Sequence, residues 1–518
     1  MTFNSYEFLL LFLPIFIIGF NWIKRVGRKK GKAQMLVDLW IVLGSLCFYG
    51  LFGMQNLGII LISLCLNACT AIPMAFMRDS RVRLHFGQKE IAPVHIWMAV
   101  GVITNLVLLL FFKLWGAFLP IAISFYTFNQ ISYIVDLGRG EIAEFSLLDY
   151  LSYILFFPKL LQGPLMGYGD YRQQVEAACE KSFDAEVVLR GLYLFSLGLF
   201  KKVIMADTLG KAVDYGYENL LGLGSIEAVL TAVFYSFQLY FDFSGYCDMA
   251  SGVCMMMGLE LPLNFNSPYK AVSIVDFWKR WHITLTKFFT KYLYIPLGGN
   301  RRGAGRMYLN FMIVFLLSGF WHGTGWNFII WGAMHGVLFV VTMALGKNAH
   351  KDANQRKVVS WTGRNRNPER DGDRSAYFVV IRGISLRNLL GKLFTFIYVT
   401  AAWVFFRAEN AGQAIGLFRQ IFVGGIRKIG TGMSSIFQLD ELWYVIKVTP
   451  LMRFGFVWEL CLWIFLVGSV VMVFFCKNAQ EKARERKIGL WTTLVTAFLL
   501  LWCIVSFGGV STFLYMNF

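Results

Sequence analysis

Residues 307–346 read MYLNFMIVFLLSGFWHGTGWNFIIWGAMHGVLFVVTMALG, forty positions without an Asp, Glu, Lys or Arg. A bilayer core takes about 20 apolar residues per helix, so the stretch is long enough for two crossings. Gly319, Gly323 and Gly325 allow close backbone approach and a break in the helix. His322 sits at that break, and an ionisable side chain at membrane depth is costly enough to mark a functional candidate. Outward from this stretch, apolar runs recur at 6–23, 36–54, 57–77, 94–119, 187–206, 226–255, 391–406, 455–476 and 490–508. Two shorter runs are interrupted: 120–137 by Ser124, Asn129, Gln130 and Asp136, and 147–166 by Pro158, Lys159, Gln162 and Pro164. Such segments bury irregular backbone in protein or line a cavity. The pattern predicts an all-α polytopic membrane protein, a single integral-membrane domain over 1–518, with about ten to twelve spans and one or two re-entrant segments.

Composition agrees. Of 518 residues, 57% are hydrophobic and only 15% charged, against about 25% charged in soluble domains. Mean hydropathy is +0.56. A soluble enzyme, a disordered chain and a disulfide scaffold are excluded. Lys and Arg number 49 against 31 acids, a net charge of +18. In a soluble domain that excess would suggest nucleic acid. Here the basic residues lie between apolar runs, which fits cytoplasmic loops beside anionic lipid and no nucleic-acid partner. The nine cysteines form no CxxC pair, which argues against a disulfide framework and against a metal site.

The basic cluster Lys24 to Lys32 follows the first apolar run, so that run is not a cleavable signal. It places 24–32 in the cytoplasm and the N-terminus outside. Lys477, Lys482, Arg484, Arg486 and Lys487 precede the last run and place residues 513–518 outside as well. Residues 347–390 form the longest polar stretch and read as a cytoplasmic loop.

Residues 276–306 form a basic amphipathic segment. Stepped as one helix over 276–292, Phe277, Trp278, Trp281, Leu285, Phe288, Phe289 and Tyr292 share one arc, with Lys279, Arg280, Lys287 and Lys291 opposite. That is the pattern of a helix lying in the membrane interface. With Arg301 and Arg302, the charges Lys279, Arg280 and Lys287 are also candidates to receive an anionic cytoplasmic donor. His282, at the edge of the arc, reads as either structural or catalytic. A neutral His322 can take a proton from a hydroxyl nucleophile; the bland alternative is a hydrogen bond between helices. His335 reads as a packing or supporting residue. Asp242 and Asp248, six apart in an apolar run, do not share a face cleanly on an unbroken helix; one of them is expected to pair with a basic group or to orient a histidine, in a structural hydrogen-bond role ahead of a proton relay.

Several motifs recur in order along the chain: Asn4-Ser5-Tyr6-Glu7-Phe8, Phe157-Pro158-Lys159 with Gly163-Pro164, Asp242-Phe243-Ser244-Gly245-Tyr246-Cys247-Asp248, Asp276 to Leu285, Tyr294 to Asn300, and Phe320-Trp321-His322-Gly323. Together they resemble the membrane-bound O-acyltransferase family, in its bacterial branch that acetylates alginate and other polysaccharides. The resemblance implies a ring of tilted helices around a thin centre, with a tunnel between the two faces of a bacterial plasma membrane. It implies that His322 is the principal catalytic histidine and His282 its upstream companion. The donor would be a thioester, either acetyl-coenzyme A or one held by a donor protein, with no permanently bound cofactor. Asn327, Trp321 and protonated His282 are the candidate donors to the developing oxyanion. Phe513 to Phe518 resemble a terminal aromatic-x-Tyr-x-x-aromatic motif, in which Tyr515 would accept the acyl group and hand it to an extracytoplasmic acetyltransferase or esterase-like partner. The competing reading of that segment is an interfacial aromatic belt. The implied function is O-acetylation of an extracytoplasmic polysaccharide such as alginate or a cell-wall glycan. The alternatives are D-alanyl transfer to teichoic acid and a non-catalytic glycan or lipid transporter.

Overall fold

The computed structural model describes residues 1–77, 84–86, 89–116, 118–359, 374–439, 448–449, 454, 456–509 and 513–514. These residues are helical except for loops and one short antiparallel pair, Leu84–Phe86 with Lys89–Ile91. Among them, nine helices are long and apolar enough to cross a membrane: Glu7–Lys29, Ala33–Gly50, Met54–Met77, Pro93–Leu114, Ala304–His322, Trp326–Gly346, Leu386–Arg407, Val457–Phe475 and Leu490–Gly508. Their outward faces keep large apolar side chains exposed, among them Ile15, Ile18, Ile62, Val107, Leu393 and Leu501. Exposed apolar surface on this scale suits lipid as the solvent.

The runs 187–206 and 226–255 also form helices, but protein covers them. Ser225–Met257 is a 33-residue helix buried along nearly its whole length, about 50 Å at the helical rise. It packs antiparallel to Ala185–Phe200 through two reciprocal glycine pairs. A Cβ on Gly252 would come within 2.6 Å of the Gly191 carbonyl, and one on Gly198 within 2.6 Å of the Gly245 carbonyl. Small residues at such crossings let helices approach closely where no hydrophobic force draws them together. The same device joins Ala304–His322 to the following helix, where a side chain on Gly332 would meet the Phe315 carbonyl at 2.5 Å.

The interrupted runs differ from one another. Ile123–Gly138 is an unbroken, almost wholly buried helix entered through left-handed Ala122 (φ 63°). Leu147–Leu155 stops at Phe156, and a short turn, Phe157–Leu160, carries the buried Lys159. Segment 347–390 is not simply a loop. Helical backbone enters it from both sides, as Trp326–Val359 and Arg374–Arg407, and 360–373 lie outside the described residues.

The continuous helix expected over 276–292 is replaced by two, Ile274–Trp278 and Ile283–Phe289, hinged at left-handed His282 (φ 44°). The loop before it explains the break. The Ile283 N–H donates to the Asn264 carbonyl at 3.0 Å, and the Asn266 N–H donates to the Arg280 carbonyl at 2.9 Å, so both groups leave the helical ladder. Phe277 and Trp281 turn into the protein core, where Trp281 packs on Trp403 at 5.0 Å, instead of forming the outer arc of an interfacial helix.

Hydrogen bonds link the two basic segments around one end of the molecule. Arg28 donates to the carbonyls of Cys179 and Lys181, and Gln174 accepts from the Glu260 N–H at 3.2 Å. Arg484 in turn pairs with Glu260 at 2.9 Å. Segments 24–32 and 477–487 therefore share a side.

Replacing Gly252 with Leu forces a side chain into the Gly191 carbonyl. Detergent-purified Gly252→Leu is expected to lose thermal stability by roughly 1–3 kcal/mol or to fail to fold. Gly468→Leu, at a glycine with no atom near its missing Cβ, should leave the melting temperature within error.

Candidate active site

His322 is the last residue of Ala304–His322 and is buried. Aromatic rings wall its imidazole: Trp321 at 4.4 Å, Phe406 at 4.9 Å and Trp331 at 5.3 Å between ring centres. His282 and Lys113 stand close enough to act on it electrostatically. The two histidines that the sequence separates by forty residues are linked by packed rings: Trp281, next to His282, lies 5.0 Å from Trp403, Trp403 lies 5.3 Å from Phe406, and Phe406 lies 4.9 Å from His322.

His282 is held by one side chain. Its Nδ1 lies 3.2 Å from Asn264 Oδ1, which also accepts from Thr284 Oγ1 at 2.9 Å. Because Asn264 presents its oxygen there, Nδ1 carries the proton and Nε2 keeps a lone pair. Nε2 is buried and has no hydrogen-bond partner among the described residues. Burial pushes the imidazole down to about 3, so it is neutral at ordinary pH. This counts against protonated His282 as an oxyanion donor. A left-handed, non-glycine backbone costs of order 1–3 kcal/mol and persists only where surroundings impose it, as at active sites.

Asn327 is removed as a donor. Its amide nitrogen gives both hydrogens to backbone carbonyls, Ala408 at 2.7 Å and Phe405 at 3.2 Å, and so ties the hairpin to Leu386–Arg407. Trp321 fits better: its indole Nε1 is buried with no acceptor among the described residues. Lys113, which sequence reading missed, donates to the Trp321 carbonyl and lies 5.5 Å over its ring. A lysine inside the apolar run 94–119 was the available signal.

His335 is fully buried in an aromatic box, with Trp331 at 5.0 Å and Trp278 at 5.1 Å, and both its ring nitrogens lack partners among the described residues. Asp248 pairs with Lys201 at 2.6 Å, and Asp242 with Lys202 at 2.8 Å. Lys202 also binds Asp207 at 2.8 Å. The two aspartates therefore satisfy lysines on the neighbouring helix, and neither is shown on a histidine. Asp242 also accepts from the Leu514 N–H at 3.0 Å, and Phe513 is buried against Tyr246. Tyr515 lies outside the described residues. Among the described residues no group of three or more His, Cys, Asp or Glu could hold a metal.

A cleft of about 210 Å³ is lined by Phe128, Asn129, Gly167, Asp170, Pro262, Thr284, Lys287 and Lys291. Gly167, Asp170 and Pro262 flank the segments that join the basic clusters, so the cleft belongs to that end. Its inner wall, Phe128, packs on Trp321 at 5.1 Å, so two aromatic rings separate it from His322. Of the five expected donor-binding cations, only Lys287 lines this cleft. Arg280 is paired with Asp276 at 2.8 Å, while Lys279, Arg301 and Arg302 are exposed on other turns. Lys291 lines the cleft too, paired with Asp136 at 2.9 Å and Glu141 at 2.6 Å.

Two buried histidines inside a polytopic helical bundle are the setting in which the relatives of this chain place it. The model of the membrane-bound O-acyltransferase family matches residues 137–354. A peptidoglycan O-acetyltransferase of Helicobacter pylori is 32% identical, aligned over 100% of this chain and 98% of its own length. A probable alginate O-acetylase of Pseudomonas putida is 30% identical over 100% of both chains. A teichoic acid D-alanyltransferase of Bacillus subtilis is 31% identical over 42% of this chain and 57% of its own. The chain belongs to the membrane-bound O-acyltransferase family; it is an O-acyltransferase.

Asn264→Leu should free the His282 ring to change tautomer. The expected result is a loss of about tenfold or more in kcat with little change in KM, read from acyl-transfer kinetics. Equal kinetics would mean that His282 takes no part in the chemistry.

Proposed function

We propose that this enzyme carries an acetyl group from a cytoplasmic thioester, acetyl-coenzyme A, to a hydroxyl on the opposite face of a bacterial plasma membrane, for O-acetylation of an extracytoplasmic glycan. The observation that carries this reading is the placement of the cleft. It belongs to the end of the molecule that bears both basic segments, the expected cytoplasmic side, and its inner wall touches Trp321 beside His322. Lys287 at the cleft meets the donor's phosphates. Displacement of the Phe128 and Trp321 rings lets the thioester reach the histidines.

His322 acts as general base toward the acceptor hydroxyl, whose oxygen attacks the thioester carbonyl. The Trp321 indole N–H supports the oxyanion. Collapse expels the thiolate, which leaves with the proton, and an ester bond has replaced the thioester bond. His282, neutral and fixed by Asn264, offers Nε2 as a second acceptor. Tyr515 is the proposed acceptor at the outer mouth, from which an extracytoplasmic acetyltransferase or esterase-like partner takes the group. The relatives named for alginate and peptidoglycan support the polysaccharide class.

The test uses purified full-length protein and acetyl-labelled coenzyme A. Label should transfer to protein or to added glycan with the wild type and fall by about 100-fold or more in His322→Ala. Labelling by a D-alanyl carrier protein alone would replace acetyl with D-alanyl. Glycan export that survives His322→Ala, with no label moved, would overturn the enzyme mechanism. Tyr515→Phe retains the aromatic ring, so full acetylation by that variant would remove the carrier role. Lys287→Glu should raise KM for the donor several-fold at low salt and leave kcat nearly unchanged, with the difference shrinking as salt is added.

A further inference from the structure

A second cavity, of about 270 Å³, lies at the same basic end, away from the cleft and the histidines. Lys24 forms part of its wall and is only 5% exposed. No carboxylate pairs with it among the described residues; its contact is the Phe20 ring at 5.5 Å. Two further cations, Arg28 and Lys181, and the Cys179 thiol are close enough to act on it electrostatically. Lys181 lines the cavity, and Arg28 clamps the turn that carries Lys181 by donating to its carbonyl. One acid, Asp184, also lines the space, but its Oδ1 accepts from the Glu186 N–H at 2.8 Å and caps the next helix.

A buried lysine with no acid beside it is expensive unless an anion completes it. The remaining wall is apolar, with Val187, Val188, Met256 and Met257. The level is also informative. Lys24 follows the apolar run of the first span, Trp22 and Ile18 remain exposed on the same helix, and Phe183 is exposed at the cavity's edge. That is the depth at which a bilayer changes from acyl chain to headgroup.

We propose that this cavity binds the phosphate of an anionic glycerophospholipid in the cytoplasmic leaflet, with Lys24 and Lys181 on the phosphate and the apolar wall against the start of an acyl chain. The site is independent of acyl transfer. It ties the first span to Ala185–Phe200 and to the end of Ser225–Met257, the central helix, which are among the elements that form its walls.

Native mass spectrometry of the detergent-purified full chain tests this, with phosphatidylglycerol or phosphatidylcholine of matched chains added. The wild type should retain phosphatidylglycerol in preference to phosphatidylcholine. Lys24→Met should weaken retention by about fivefold, while Lys24→Arg and the exposed control Lys30→Met should keep it. Should Lys24→Met not give monodisperse protein, Lys181→Met carries the same expectation at the rim. Equal retention of the two lipids, or undiminished phosphatidylglycerol on Lys24→Met, would overturn the proposal. So would displacement of the lipid by inorganic phosphate, which would assign the site to a soluble anion.

Discussion

Inside a membrane protein a polar atom finds a partner within the fold or costs several kcal/mol. That constraint organises this molecule. Lys201 and Lys202 sit on the helix that packs against the central one, and the close glycine crossing brings Asp248 and Asp242 onto them. Asn67 and Asn105 bridge two spans, and Ser63 donates to Gln130 at 2.9 Å. Asn327 closes the hairpin onto Leu386–Arg407. Most of the buried polar inventory is thus spent on joining helices.

Against that background, two of the exceptions are at the candidate site. His282 Nε2 and Trp321 Nε1 are buried without partners among the described residues. Unsatisfied groups of this kind are what an acyl-transfer centre must hold ready, since their partners, a hydroxyl proton and an oxyanion, exist only during reaction. The left-handed backbone of His282 belongs to the same economy of strain at a reacting centre. The enclosing aromatic rings exclude water, which would protect the proposed thioester donor from hydrolysis.

Charge organises the molecule along the other direction. The basic segments meet at one end, and two cavities lie there. One has a wall in contact with the layer of the histidines. The other is built around Lys24, at headgroup depth. The two proposals put a soluble anion and a lipid anion at separate places on one end of the molecule.

The sequence by itself determined the solvent and singled out His322, because an uncharged forty-residue run with a histidine at its glycine-rich break has few physical readings; it did not fix the spans, since 187–206 and 226–255 are apolar enough to cross but are covered by protein. It expected one of Asp242 and Asp248 to pair with a base; the structure pairs both with lysines. It misjudged 276–292, because periodicity registers only side chains, whereas Asn264 and Asn266 in a preceding loop withdraw two backbone groups from the helix. It offered Asn327, Trp321 and protonated His282 as oxyanion donors without a ranking, on their chemistry alone. Tertiary structure ranked them, by committing the amide hydrogens of Asn327 to backbone carbonyls and by desolvating His282. Lys113 and Asn264 stayed invisible for the same reason: partners brought together from distant parts of the chain leave no periodic trace, and only packing decides which polar groups remain unspent.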